Sequence, residues 1–198
     1  MDPYLEAWDS LYAGQPRSWR GTSSVSWMGI PPGSRVLDAG CGNGKTSASL
    51  IQDGCRVTGF DFSPRAVAAC RELFGDRGEF VTADVRDLPF GDSSFDCVVA
   101  VHILEHVPAE DIPKAVSELL RVLVPGGRIY LQAFAVGDFR SKGRKEDVRN
   151  GILYRYFSEA DVMGMFSSAR IVSVHRKEET TRFGEVRRRL QCVMEKPA

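Results

Sequence analysis

Residues 35–61 read RVLDAGCGNGKTSASLIQDGCRVTGFD, and the alternation inside this stretch decides the fold. Residues 35–38 form a short apolar run that ends on a carboxylate, which predicts a strand. A glycine loop follows, then a helix over about 44–53 and a second strand at 55–60 that leads into Asp61. The same rhythm continues downstream. Ser63 and Pro64 supply an N-cap and a first helical residue, Phe80 and Val81 mark a third short strand, and 95–101 (FDCVVAV) is an unbroken apolar run suited to a parallel strand buried on both faces. Pro108 is expected to open a helix in which Ile112, Val116, Leu119, Leu120 and Leu123 keep helical spacing. Pro125-Gly126-Gly127 is expected to stop that helix before a fifth strand, RIYLQAF, at 128–134.

Strands that alternate with helices imply a single doubly wound α/β domain with a mostly parallel sheet and right-handed crossovers. Ligands in such sheets bind beyond the carboxyl ends of the strands, near the switch in strand order. Asp38, Asp61 and His102 end the first, second and fourth strands, and Asp84 follows the third. Function is therefore expected at that edge.

The bulk composition narrows the classes. With 198 residues the chain suits one core, and 43% hydrophobic with 26% charged residues is the balance of a globular protein. Lys plus Arg equals Asp plus Glu, 26 each, which argues against bulk electrostatic capture of nucleic acid. The five cysteines (Cys41, Cys55, Cys70, Cys97, Cys192) are scattered and never in CxxC spacing, so they read as reduced thiols, neither a disulfide framework nor a zinc cage. The opening MDPYLEAWDSLY has acids where a secretory leader needs bases, and no stretch approaches the roughly 20 apolar residues that span a bilayer. Cytoplasmic location without membrane contact is the expectation.

The loop itself admits three readings. A dinucleotide fingerprint needs G-x-G-x-x-G, but the spacing here is G-x-G-x-G with Lys45 at the third glycine position. A phosphate-binding loop needs G-x-x-x-x-G-K-T, and AGCGNGKT meets it except for Ala39 in the first place. Asp38 discriminates, because a carboxylate there repels nucleotide phosphates and attracts an ammonium or a sulfonium. The third reading is thus a methionine-derived cofactor, approached closely by a glycine backbone.

With these residues in view, the chain resembles the class I S-adenosylmethionine-dependent methyltransferases, among their small methyltransferase domains. VLDAGCGNGKTS (36–47) is similar to their first motif and VTGFDFSPRAV (57–67) to their second. TADVRDLPFGDSSFDCVVAVHILEHV (82–107) resembles the third and fourth, and LRVLVPGGRIYL (120–131) the fifth, all in the family's order. The resemblance implies a Rossmann-like sheet of seven strands, the last antiparallel, with helices on both faces. It implies S-adenosyl-L-methionine as cofactor and S-adenosyl-L-homocysteine as product. Gly40, Cys41 and Gly42 would cradle the methionine part, with Asp38 near its amino group. Asp61 would accept both ribose hydroxyls, followed by Phe62 against the cofactor; Asp84 would accept from the adenine amino group, with Val85 beside it. The bland alternatives are a helix N-terminal acid at Asp61 and a loop-capping carboxylate at Asp84.

His102-Ile103-Leu104-Glu105-His106 also spells H-x-x-E-H, an inverted zinc-protease signature. That motif needs a helix, whereas His102 ends a strand and Pro108 disfavours helical geometry at Val107. No metal is expected. A leucine-glutamate-histidine segment recurs at this place in the resembling family without metal, which implies a structural His106 bonded to a nearby loop. His102 faces the transfer site and is the candidate general base, wherever the acceptor is protonated at neutral pH; a satisfied polar residue lining the cleft is the alternative.

Two further segments are assigned by resemblance and composition. Residues 1–30, with Leu5, Trp8, Leu11 and Tyr12 at helical spacing, form an N-terminal helical segment, either a lid over the cofactor or an amphipathic helix packed on the sheet. Arg20 is its candidate partner for the cofactor carboxylate. Residues 31–198 form the methyltransferase domain, in which 135–157 is an excursion of the kind that lines the acceptor site. It carries Arg140, Lys142, Arg144 and Lys145, then Tyr154, Tyr156 and Phe157, diluted by Glu146 and Asp147. Arg187 to Arg189 are expected at a hairpin end. The acceptor is expected to be a small molecule, with a tRNA as the alternative; a phosphate-loop nucleotide hydrolase and a cofactor-binding domain without catalysis are the readings from other classes.

Overall fold

The computed structural model describes residues 3–13 and 24–198. Its elements run α1 (Pro3–Ala13), β1 (Arg35–Ala39), α2 (Lys45–Gln52), β2 (Arg56–Asp61), α3 (Pro64–Phe74), β3 (Gly78–Thr82), β4 (Phe95–Val101), α4 (Ile112–Arg121), β5 (Leu123–Phe134), β6 (Glu146–Arg149), β7 (Ile152–Arg155), α5 (Glu159–Met165), β8 (Arg170–Thr180) and β9 (Val186–Glu195). Seven strands form one sheet in the order β3-β2-β1-β4-β5-β9-β8. The first five strands of that order pair in parallel, and β9 runs antiparallel to both β5 and β8. This is the Rossmann-like seven-stranded arrangement expected of the sequence, with its last strand reversed.

Alternation along each strand divides the core into two layers. Leu37, Val98 and Ile129 lie side by side in register and pack under α4 and α5, against Leu119, Val162 and Phe166. Their neighbours Val36, Cys97 and Tyr130 face the other way, toward Leu50 of α2, Val25 and Met28. Because β1 pairs with β2 on one side and β4 on the other, strand order reverses between β1 and β4. The carboxyl ends of these two strands flank the crevice where such sheets take ligands.

Three expectations about boundaries are corrected. α4 ends at Arg121, so Leu123 is a strand residue. The carbonyls of Arg121 and Val122 are taken by the amides of Ser93 and Phe95, each at 3.0 Å, and Lys196 Nζ donates to Leu123 O at 2.7 Å. These long-range donors draw the chain into β5 before Pro125 is reached, and Pro125-Gly126-Gly127 becomes an irregularity where the pairing jumps from Phe95↔Leu123 to Cys97↔Arg128. Arg187 to Arg189 sit within β9, not at a turn; Arg188 and Arg189 pair with Glu178 and Glu179 across the ladder at 2.7 and 2.9 Å. The helix after Pro108 begins as a short turn at Ala109–Asp111, and α4 proper starts at Ile112. Within the excursion, β6 and β7 close a hairpin around Asn150-Gly151, a dipeptide whose turn preference was legible in the sequence.

Candidate functional site

A cleft of about 690 Å³, counted out to its mouth, opens at the carboxyl ends of β1, β2 and β4. Its floor holds Gly40, Asp61 and His102, its far wall Asp84 and Val85, and its roof Tyr4, Trp8 and Tyr12 of α1.

The glycine loop reaches the cleft at Gly40, and its backbone turns left-handed at Gly40 (φ 67°) and Gly42 (φ 53°). A Cβ on Gly40 would lie 3.0 Å from the Ile103 side chain, and one on Gly42 would lie 2.8 Å from the Tyr12 hydroxyl. Both positions therefore favour glycine for φ, and a side chain there would also have to displace Ile103 or Tyr12. The Gly42 amide donates to Asp61 Oδ2 at 2.9 Å, and Ser63 N donates to Oδ1 at 3.0 Å. Burial pushes the Asp61 carboxyl up to about 6 against these two donors. A phosphate reading of the loop loses its footing here, since an amide that would cradle phosphate is already given to a carboxylate.

Of the loop region only Gly40 lines the cleft; Asp38, Cys41 and Gly42 lie outside the lining. Asp38 is buried at 1% exposure and accepts from Ser47 Oγ at 2.5 Å, which pins α2 to the end of β1. Burial raises it to about 7, Ser47 opposing. The Cys41 amide donates to Phe60 O at 2.8 Å, and the thiols of Cys41 and Cys70 both point to Gly42 O.

Asp84 carries a partner that the sequence reading did not find. Arg86 grips both its oxygens, at 2.9 and 2.5 Å, and reaches Asp111 at 2.7 Å. Burial raises the Asp84 carboxyl but the Arg86 contacts outweigh it, holding it below the usual carboxylate range. The i, i+2 spacing of Asp84 and Arg86 was the available signal.

His102 sits just past β4 with φ 57°, a left-handed backbone that a non-glycine residue adopts at a cost of about 1–3 kcal/mol. Its Nδ1 lies 2.8 Å from Glu105 Oε1, which also accepts from Phe134 N at 2.8 Å. Glu105 is fully buried, and burial alone would raise it; the bonded His102 outweighs that and leaves the carboxyl below its ordinary range. His102 stacks on Phe134 at 4.3 Å between centroids. His106 Nδ1 bonds Leu153 O of β7 at 2.6 Å, as a structural histidine would, and burial lowers its basicity. Among the described residues no cluster of three His, Cys, Asp or Glu groups could hold a metal ion.

α1 spans the cleft like a strut. Asp9 accepts from Ser63 Oγ and Arg65 Nε, both at 2.7 Å, at the start of α3. At the other side Trp8 meets His106 edge-on at 4.8 Å, and the Ala7 methyl lies 3.1 Å from where a Cβ of Gly151 would stand. Tyr12 is pushed well above its usual range by burial and by Asp61. Arg20 lies outside the described residues.

The excursion's cations are largely paired with acids. Arg140 bonds Asp138 at 2.8 Å and lies over the Phe134 ring, Arg144 bonds Asp147 at 3.0 Å, and Arg155 bonds Glu146 at 2.6 Å. Tyr156 and Phe157 are core residues at 2% and 3% exposure, unavailable as stacking platforms. Among the described residues no helix is long and apolar enough to cross a membrane.

Residues 37–131 match the model of a family described as "Methyltransferase domain". The chain is similar to a demethylmenaquinone methyltransferase of Beutenbergia cavernae, 41% identical over 128 residues, which cover 64% of this chain and 51% of that protein. The chain thus spans about half the length of the curated relatives it matches. A solved S-adenosylmethionine-dependent methyltransferase of Methanosarcina mazei superposes with TM-score 0.76 at 25% identity, covering 90% of this chain and 99% of that one. The 1,6-didemethyltoxoflavin-N1-methyltransferase of Burkholderia thailandensis, solved with its substrate and S-adenosylhomocysteine, shares the fold at TM-score 0.69 and 22% identity, over 100% of this chain and 79% of that one.

Proposed function

We propose that this chain, which carries a class I S-adenosylmethionine-dependent methyltransferase domain, transfers a methyl group to a small, planar organic acceptor. The observation that carries this reading is the cleft: a half-open site at the β1/β4 switch point, roofed by Tyr4, Trp8 and Tyr12 and walled by His102 and His106. Aromatic faces on two sides suit a flat ring. The name of the menaquinone-pathway relative supports the same acceptor class.

The residues present fit the cofactor. Gly40 and Gly42 give a side-chain-free turn, Asp61 offers remaining lone pairs to a vicinal diol, and Asp84 with Val85 and Phe62 lines the part suited to a nucleobase. Asp38 and Cys41 would serve by holding the loop in shape. When bound, S-adenosyl-L-methionine supplies a methyl group on a sulfonium, whose thioether leaves readily as S-adenosyl-L-homocysteine. The protein's own contribution is alignment and exclusion of water, with α1 as the cover. Residues 135–157 would border the acceptor through Tyr154, whose ring lies 5.1 Å from that of His106.

A tRNA acceptor is disfavoured by the ion pairs on Arg140, Arg144, Arg188 and Arg189, since a phosphate there would compete with the acids these arginines already hold. Radiolabel transfer from the cofactor into cell extract, with and without ribonuclease, tests the reading. Label in a low-mass, ribonuclease-resistant fraction supports it. Label that tracks with RNA and vanishes on digestion overturns the acceptor class, and an absence of label in any fraction overturns transfer itself.

A further inference from the structure

We propose that His102 and Glu105 form a proton-accepting dyad, so that the acceptor is an aromatic ring bearing an acidic hydroxyl which His102 Nε2 deprotonates. This deepens the methyltransferase reading and rests on it. Four observations converge. First, the bond from Nδ1 to Glu105 Oε1 at 2.8 Å fixes the tautomer with the proton on Nδ1, because a carboxylate only accepts. Second, Nε2 is left with its lone pair toward the Gln132 side-chain amide, 3.3 Å away, a long contact that an incoming hydroxyl can replace. Third, Glu105 is fully buried and its Oε1 is held by both His102 Nδ1 and the Phe134 amide, each at 2.8 Å, so a carboxylate stands fixed behind the imidazole to offset the charge when a proton arrives on it. Fourth, the left-handed backbone at His102 (φ 57°) holds the ring at the cleft floor and stacked on Phe134.

The proton balance is simple. The acceptor's O–H bond breaks, its electron pair stays on oxygen, and the proton bonds to Nε2, giving an imidazolium whose Nδ1–H faces the Glu105 carboxylate. The resulting phenolate is the nucleophile, and the proton returns to solvent after product leaves. Other charged or titratable groups near His102 are His106 on its own segment, Arg140 over the Phe134 ring, and Tyr12, Asp61, Asp84 and Arg86 across the cleft. Glu105 touches no substrate; it is a positioning residue.

The test uses 4-nitrophenol as a chromophoric probe, added to the protein saturated with S-adenosylhomocysteine. Phenolate absorbance against pH is expected to show the bound probe ionising at least about one pH unit below the free compound. The difference should vanish in His102→Gln and shrink in Glu105→Gln. Since Glu105→Gln alters a buried site, S-adenosylhomocysteine affinity within about threefold of wild type serves as its fold check, and His102→Gln decides the matter if that check fails. A bound probe that ionises like the free compound, or a difference that survives His102→Gln, overturns the dyad while leaving methyl transfer standing. A probe that does not bind counts against the planar acceptor site and overturns both. For any acceptor recovered by labelling, kcat in His102→Gln should fall by about 10²–10⁴ with KM nearly unchanged; wild-type kcat in that variant sinks the dyad alone.

Discussion

The backbone amide of Gly42 donates to Asp61 Oδ2 at 2.9 Å, which fastens the glycine loop after β1 to the acid that closes β2. The contact joins positions 19 residues apart in sequence and sets the shape of the cleft floor. Asp61 thereby does two things, holding the loop and presenting its remaining lone pairs.

Asp61→Ala should weaken S-adenosylhomocysteine binding at least tenfold, because two charge-assisted hydrogen bonds worth about 1.5–3 kcal/mol each are removed. In the wild-type protein the affinity should rise with pH through about 6, the value to which burial pushes this carboxyl, as the charged acceptor forms. Calorimetry at several pH values measures both. Unchanged affinity in the variant sinks the assignment.

Asp38→Asn addresses a carboxyl raised to about 7 in the fold. Its ordinary value in the unfolded chain is lower, so between the two the folded state holds the extra proton and stability falls as pH rises. The variant lacks this titration. Its stability relative to wild type should therefore improve by about 2 kcal/mol between roughly pH 5.5 and 8, because wild type loses about 1.4 kcal/mol for each pH unit up to the folded-state value. Urea unfolding at the two ends reads this out, and a pH-independent difference would contradict it.

Asp9→Ala removes the anchor of α1 on Ser63 and Arg65. The site is partly exposed, so the loss is set at about 1 kcal/mol. Cofactor affinity should drop about fivefold, and α1 should become more open to limited proteolysis while the melting temperature of the sheet barely moves. Proteolysis and affinity both at wild-type levels would remove α1 as a cover.

Gly42→Ala meets both a left-handed backbone, about 1–2 kcal/mol, and the Tyr12 hydroxyl at 2.8 Å. Gly143→Ala is the matched control, with φ 79° and nothing within 4 Å. Both variants should lose stability in denaturant, yet only Gly42→Ala should also lose S-adenosylhomocysteine affinity. Equal affinities in the two would show that loop shape does not matter for binding.

The sequence by itself determined the strand–helix order, the reversed last strand through its family resemblance, and the gathering of Asp38, Asp61, Asp84 and His102 at one edge of the sheet. These are legible because a period of two, a period of 3.6 and the turn residues between them are local properties. The Asn150-Gly151 hairpin was equally local and was simply not read. Only the tertiary structure decided what each polar group does. It turned Asp38 inward to Ser47, set Arg86 on Asp84, and joined Glu105 to both His102 and the amide of Phe134, 29 residues away. It also ended α4 at Arg121 through donors from Ser93, Phe95 and Lys196, and it matched the arginines of β9 to the glutamates of β8. The physical reason is common to all of these. A buried donor or acceptor must find a partner once water is gone, and the partner is whichever group the packed sheet brings within about 3 Å, a distance no pattern along the chain records.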